Sequence, residues 1–204
     1  MRNILLYLSL LIGANLSAQS ALMDSLLWLN YEYRLDQNLE FADSAESPLE
    51  EEDRQNFSSL DWYPLDTNFI VWAQIELTPD SEPFKMPTTT DRKPVYKQYA
   101  IAHFQLGDSL FHLQIYQNLG LIKMPQYQDY LFVPFTDHSN GFGSYGGGRY
   151  LDLRLPQGDS LLIDFNRAYN PYCAYNGRYS CPIPPRENRL NYFIKAGVRY
   201  EPKH

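Results

Sequence analysis

The sequence predicts a mainly β, α+β domain, in which an antiparallel sheet forms a barrel or sandwich and two N-terminal helices pack on it. Three observations carry this. Apolar residues recur three and four apart near the N-terminus but two apart from Asn68 onward. Turn residues punctuate the later part at short intervals. The 204 residues suffice for one ordinary core and require no second domain.

In chain order, Arg2 precedes an apolar run from Ile4 to Leu11, and Leu16-Ser17-Ala18 offers small residues before Gln19. This pattern reads as a signal peptide over 1–18, with a single mature domain over 19–204 and export to the periplasm or medium. The run is too short and too soon interrupted for stable membrane insertion. Residues 21–39 place Leu22, Leu26, Leu29 and Tyr33 at helical spacing, with Ser20 available as a cap. Ser47-Pro48-Leu49-Glu50 has the form of a capping box with proline at the first helical position, which predicts a short acidic helix to about Phe57.

Alternating runs then predict strands at 69–77, 95–106, 109–117, 130–135, 150–155, 160–166 and 190–198, with a short edge strand near 84–88. The word Gly-Asp-Ser-Leu occurs twice, at 107–110 and 158–161. Serine esterases carry their nucleophile in that word, but here each copy lies between two alternating runs. A two-residue hairpin turn explains it better. The first turn sets Phe104 against Phe111, Ala102 against Leu113, Ala100 against Ile115 and His103 against His112. Without a third ligand the histidine pair reads as two half-exposed imidazoles rather than a metal site. The second turn would set Leu155 against Leu162, Leu153 against Asp164 and Leu151 against Asn166. That register carries a carboxylate and an amide onto an otherwise apolar face, where they need partners or a cavity.

The stretch from Asn140 to Tyr150 is rich in glycine and enters a strand, so it lacks the helix that nucleotide-binding loops place behind their glycines. It fits a bend in the chain, or a nest of N–H groups with Arg149 at its rim. Cys173 and Cys181 are eight apart and are the only cysteines. In an exported chain a disulfide is the expected pairing, contributing about 2–3 kcal/mol. No metal and no cofactor is called for. Charge is split along the chain: residues 141–204 hold nine Lys and Arg against five acids, and residues 19–140 hold seven against nineteen. The acidic total of −7 disfavours nucleic acid as a partner.

Three segments carry a family resemblance: Gly146 to Asp152 (GGGRYLD), Asp164 to Tyr175 (DFNRAYNPYCAY) and Cys181 to Leu190 (CPIPPRENRL). With them the chain resembles the DUF1684 family, bacterial proteins of unknown function, along essentially its whole mature length. The resemblance implies a family and no established chemistry. It also leaves packing or redox work open to the two thiols. The sequence reading is therefore a non-catalytic binding protein for a small anionic or carbohydrate-like ligand. Arg149 would receive an anion, Asp164, Asn166, Asn170 and Glu187 would form a polar network, and Tyr145, Tyr150 and Tyr169 would form aromatic walls. The rival reading is a hydrolase that uses Asp164 or Glu187 as acid or base.

Overall fold

A computed structural model describes residues 2–201, with side chains from Ser20 onward. The leader predicted over 1–18 lies outside the residues whose side chains are described. Helix α1 runs from Arg2 to Ala42 and is followed by a five-residue helix α2 (Glu51–Gln55). Seven strands come next: β1 (Ile70–Leu77), β2 (Phe84–Lys85), β3 (Val95–Leu106), β4 (Ser109–Asn118), β5 (Tyr130–Phe135), β6 (Arg149–Arg154) and β7 (Ser160–Asp164). They form one antiparallel sheet in the order β6-β5-β4-β3-β1-β7, with β2 paired to β3. The two ends of that order are consecutive in the chain and joined only by residues 155–159. The sheet must therefore curl to bring its edges near each other, which makes it a half-barrel.

Several sequence expectations are corrected here. Among the described residues only α1 is a substantial helix: α2 buries none of its residues, because its acids suit a helix N-terminus but give it no apolar stripe. Ser47 does not cap it. Its hydroxyl donates to the Phe41 carbonyl at 2.6 Å and accepts from the Leu49 N–H at 3.2 Å, closing a turn instead. The second hairpin does not form either. β6 pairs with β5, setting Leu151 against Val133, and β7 pairs with β1, setting Asp164 against Ile70. The linker Leu155-Pro156-Gln157-Gly158-Asp159 is longer than a two-residue turn, and its proline offers no N–H to a ladder. The 190–198 segment adds no strand; single bridges tie Arg189 to Thr136 and Val198 to Trp62. The first hairpin has the predicted register, His103 opposite His112 included, with Gly107 at φ +56° in its turn.

Alternation divides the sheet between two clusters. Ala102, Phe104, Leu113, Ile115, Leu131, Val133, Leu151, Leu161 and Ile163 face the main core, which Phe135, Phe165 and Ile194 complete. The Phe165 ring centres on Phe104 and Phe135 at 5.8 and 5.5 Å, a dense aromatic contact worth more than its buried area alone. The opposite face of β3 to β6 carries Tyr96, Tyr116, Phe132 and Tyr150 into a second cluster with Met86 and Cys181.

Helix α1 lies against the end of β7. Asn30 is fully buried and donates to Asp164 Oδ2 at 2.6 Å, while Tyr33 donates to the Arg167 carbonyl at 3.2 Å. Replacing Asn30 with Leu removes a donor to a buried carboxylate, so stability should fall by about 1.5–3 kcal/mol. Amide exchange across α1 should accelerate more than exchange in the sheet. Equal protection of helix and sheet in the variant would show that this contact does not anchor α1.

Candidate functional site

A pocket of about 430 Å³ opens on the second face of the sheet. Its floor comes from β5 and β6: Tyr130 and Phe132 from one strand, Tyr150 and Asp152 from the next, with Phe132 directly opposite Asp152 in the ladder. Period-two geometry explains the grouping, since residues 130, 132, 150 and 152 share one face. Tyr33, Gln37 and Glu40 of α1 form one wall, and the chain from Tyr169 to Pro182 forms another. Tyr150 donates to the Pro182 carbonyl, and the Tyr150 and Tyr169 backbones form an antiparallel bridge, so floor and wall are fastened together.

Asp152 is the chemical centre. Tyr130 and Tyr169 both donate to its Oδ1, at 2.6 and 2.8 Å, and no described residue hydrogen-bonds Oδ2. The carboxylate is reachable through the pocket although protein surrounds it on most sides. Desolvation pushes its pKa above the ordinary carboxylate value, opposed by the two tyrosine hydrogen bonds and by Arg154. Burial and the nearby carboxylate raise the Tyr130 and Tyr169 hydroxyls as well, so both remain donors. Two cations share the lining. Arg92 is bound to Ser180, through Nε to its hydroxyl at 3.1 Å and through Nη2 to its carbonyl at 2.6 Å. Arg167 lies 5.4 Å from the Tyr33 ring centre, a cation–π contact. Tyr172 donates to Glu40 across the mouth. The arrangement offers flat aromatic surfaces, one aimed carboxylate oxygen and guanidinium edges.

Of the ligand-binding residues singled out from the sequence, Tyr150 and Tyr169 line this pocket and the others lie elsewhere, while Cys181, expected in a disulfide, also reaches its wall. Arg149 has no exposed surface. Its Nη2 contacts Asp137 Oδ2 at 2.7 Å, Ser139 Oγ at 3.1 Å and the Ile194 carbonyl at 2.9 Å, and its Nη1 donates to the Ala196 carbonyl. Asp164 accepts from Asn30 and from the backbone and side chain of Asn166, and Asn166 also donates to the Asp66 carbonyl at 2.9 Å. Asn170 is buried between the Tyr145 N–H, the Tyr175 hydroxyl and the Arg199 carbonyl. Tyr145 packs edge-on against Tyr200, 5.3 Å between ring centres, and Glu187 is exposed on a short turn. The glycine loop bends at Gly148, which at φ +101° leaves room for the Phe135 carbonyl, 2.7 Å from where a Cβ would stand. Gly148→Ala should lower stability by about 2 kcal/mol, read as an earlier urea midpoint; an unshifted midpoint would show that the bend tolerates a side chain.

Cys173 and Cys181 are free thiols, so the bridge expected from the sequence is not formed here. His103 Nε2 stands 3.0 Å from Glu76 Oε2, and its ring centre is 6.3 Å from that of His112. Among the described residues no group of three or more His, Cys, Asp or Glu is placed to hold a metal ion. No helix among the described residues is long and apolar enough to cross a membrane.

Asp152 and Tyr130 escape the sequence reading because that reading pairs β6 with β7. Pairing 130–135 with 149–154 instead aligns their aromatic and acidic positions on one face, and that alternation is the signal the sequence offers.

Residues 55–199 match the family model described as "Protein of unknown function (DUF1684)". A solution NMR structure of an uncharacterized protein from Haloarcula marismortui is 31% identical, covers 89% of this chain and 99% of its own, and superposes with a TM-score of 0.70. No curated protein matches. With the family model spanning well over half its length, the chain belongs to the DUF1684 family.

Proposed function

We propose that this protein binds a small polyhydroxylated, carbohydrate-like ligand in the Asp152 pocket without transforming it. One observation carries the reading: Asp152 has Oδ1 fixed by two tyrosines while Oδ2 has no hydrogen bond to a described residue. A ligand hydroxyl donates to Oδ2, the tyrosine and phenylalanine faces cover the ligand's C–H surface, and Arg167 donates to its oxygens. The carboxylate floor favours a neutral polyol over a simple anion. The same reading keeps the leader over 1–18 and therefore export; N-terminal sequencing of protein recovered from a bacterial periplasm should begin near Gln19, and an intact Met1 would remove it.

The test is calorimetric titration of mono- and disaccharides into wild type and Asp152→Asn. Loss of one hydrogen bond to a charged group should weaken binding at least about tenfold. The variant should stay folded, and the sign follows from linkage. A carboxyl whose folded pKa is raised stabilises the fold below its unfolded pKa, and that contribution is lost as pH rises through the folded pKa. The amide of the variant carries no such liability, so at neutral pH it should be at least as stable as wild type. Undiminished affinity in the variant, or no binding by any sugar tested, would remove the proposal. The hydrolase alternative moves to Asp152, because a carboxyl whose pKa desolvation raises is suited to general-acid work. Products accumulating with wild type but not with Asp152→Asn would favour it over simple binding.

A further inference from the structure

The two thiols stand apart from that reading. Cys173 lies in the 3-10 turn Tyr172–Ala174, and Cys181 follows at the start of the proline-rich exit. The chain between folds back on itself, with the Tyr179 N–H on the Asn176 carbonyl at 3.3 Å. The Cys173 N–H then donates to Cys181 Sγ at 3.1 Å, and the two sulfurs lie within hydrogen-bonding reach. Cys181 is clamped from both sides by Thr89: its N–H donates to Thr89 Oγ1 at 3.1 Å, and its carbonyl accepts from the Thr89 N–H at 2.9 Å. The exposures are unequal, with Cys181 buried at 6% and Cys173 half-buried.

We propose that Cys173 and Cys181 form a redox-active dithiol that exchanges with a small-molecule disulfide, Cys173 attacking and Cys181 resolving. Exposure assigns the roles, since the half-buried Cys173 offers an incoming disulfide more surface than Cys181 does. Donation from the Cys181 thiol, with further hydrogen bonds from Tyr145 and Thr89, lowers the Cys173 pKa to about 7, and the Cys181 thiol is pushed up in turn. The Cys173 thiolate attacks one sulfur of RSSR, forming a mixed disulfide and expelling RS⁻. Cys181 then gives up its proton to solvent or to that thiolate and attacks the Cys173 sulfur, expelling the second RS⁻. The protein loses two hydrogens and two electrons, and RSSR becomes two RSH. Because Cys181 lines the Asp152 pocket, as do Tyr172 and Tyr179 of the same segment, oxidation acts at the pocket wall.

The experiment treats reduced full-length protein with glutathione disulfide and follows intact mass, for wild type, Cys181→Ser and Cys173→Ser. Wild type should lose two hydrogens and retain no adduct, Cys181→Ser should accumulate one glutathione adduct at Cys173, and Cys173→Ser should react far more slowly. Iodoacetamide labelling of reduced wild type should show a midpoint near 7 for Cys173, against about 8.5 for a free cysteine. Three results would each overturn the proposal: two independent adducts on wild type, no reaction in the native state, or a bridge that glutathione cannot reduce without unfolding. The last would mark a purely structural disulfide. A labelling midpoint near the free-cysteine value would overturn it as well, and none of these readouts depends on whether a sugar binds.

Discussion

Arg149→Ala is expected to destabilise the fold by about 3–5 kcal/mol. The substitution removes a guanidinium with no exposed surface and leaves the Asp137 carboxylate, itself buried, without its counter-charge. It also strips donors from the Ile194 and Ala196 carbonyls. These two carbonyls belong to the C-terminal segment, which lacks strand ladders of its own, so the arginine substitutes for a missing row of sheet hydrogen bonds. Converting Asp137 to Asn in the same chain should recover only part of the loss, because the backbone carbonyls stay unpaired. Urea unfolding followed by tryptophan fluorescence measures it. A loss below about 1 kcal/mol, the net worth of an ordinary hydrogen bond, would mean that water or a neighbouring side chain replaces the guanidinium, and that the pair is not what holds residues 194–196 in place.

Gly197→Ala should be nearly as damaging, at about 3 kcal/mol, for a reason that involves no charge. Gly197 has φ +82°, which costs an L-residue about 1–2 kcal/mol. A Cβ there would stand 2.3 Å from the Ala168 carbonyl oxygen, which already accepts the Val198 N–H at 2.8 Å. Relief requires the backbone to move, and overpacking of that kind adds about 1–3 kcal/mol. Gly146→Ala is the internal control, since Gly146 has no atom within 4 Å of a Cβ and no positive φ. It should leave the urea midpoint unchanged or slightly later. Equal effects at the two positions would contradict the close-approach argument.

Most strand positions are legible in the sequence because alternation is a local signal, and the Gly107 hairpin is legible down to register because a two-residue turn leaves no freedom. What stays hidden is non-local. Whether β6 pairs back on β7 or across to β5 depends on how a five-residue linker lets the sheet curl, and nothing within 155–159 encodes that. The hairpin pairing draws attention to Asp164, whose partners Asn30 and Asn166 make it an anchor for α1 and for the turn after β7. Asp152 goes unnoticed one face away. Arg149 stands out in a glycine-rich loop, yet its role is set by a carbonyl 45 residues further along the chain.

Helix α1 supplies Tyr33, Gln37 and Glu40 to the pocket, whereas the family match begins at residue 55. Floor and one wall of the pocket therefore come from parts of the polypeptide far apart in sequence. A chain trimmed to 55–199 would keep Tyr130, Tyr169 and the aspartate between them but would lose the wall that α1 provides. The helix is fastened to the half-barrel at several points, through Asn30 and Tyr33 to the chain after β7, through Arg34 and Asn38 to the backbone of Tyr63 and Leu60, and through Phe41 to the cluster with Leu60 and Val198, so that wall of the pocket is set by long-range contacts rather than by the strands that make the floor.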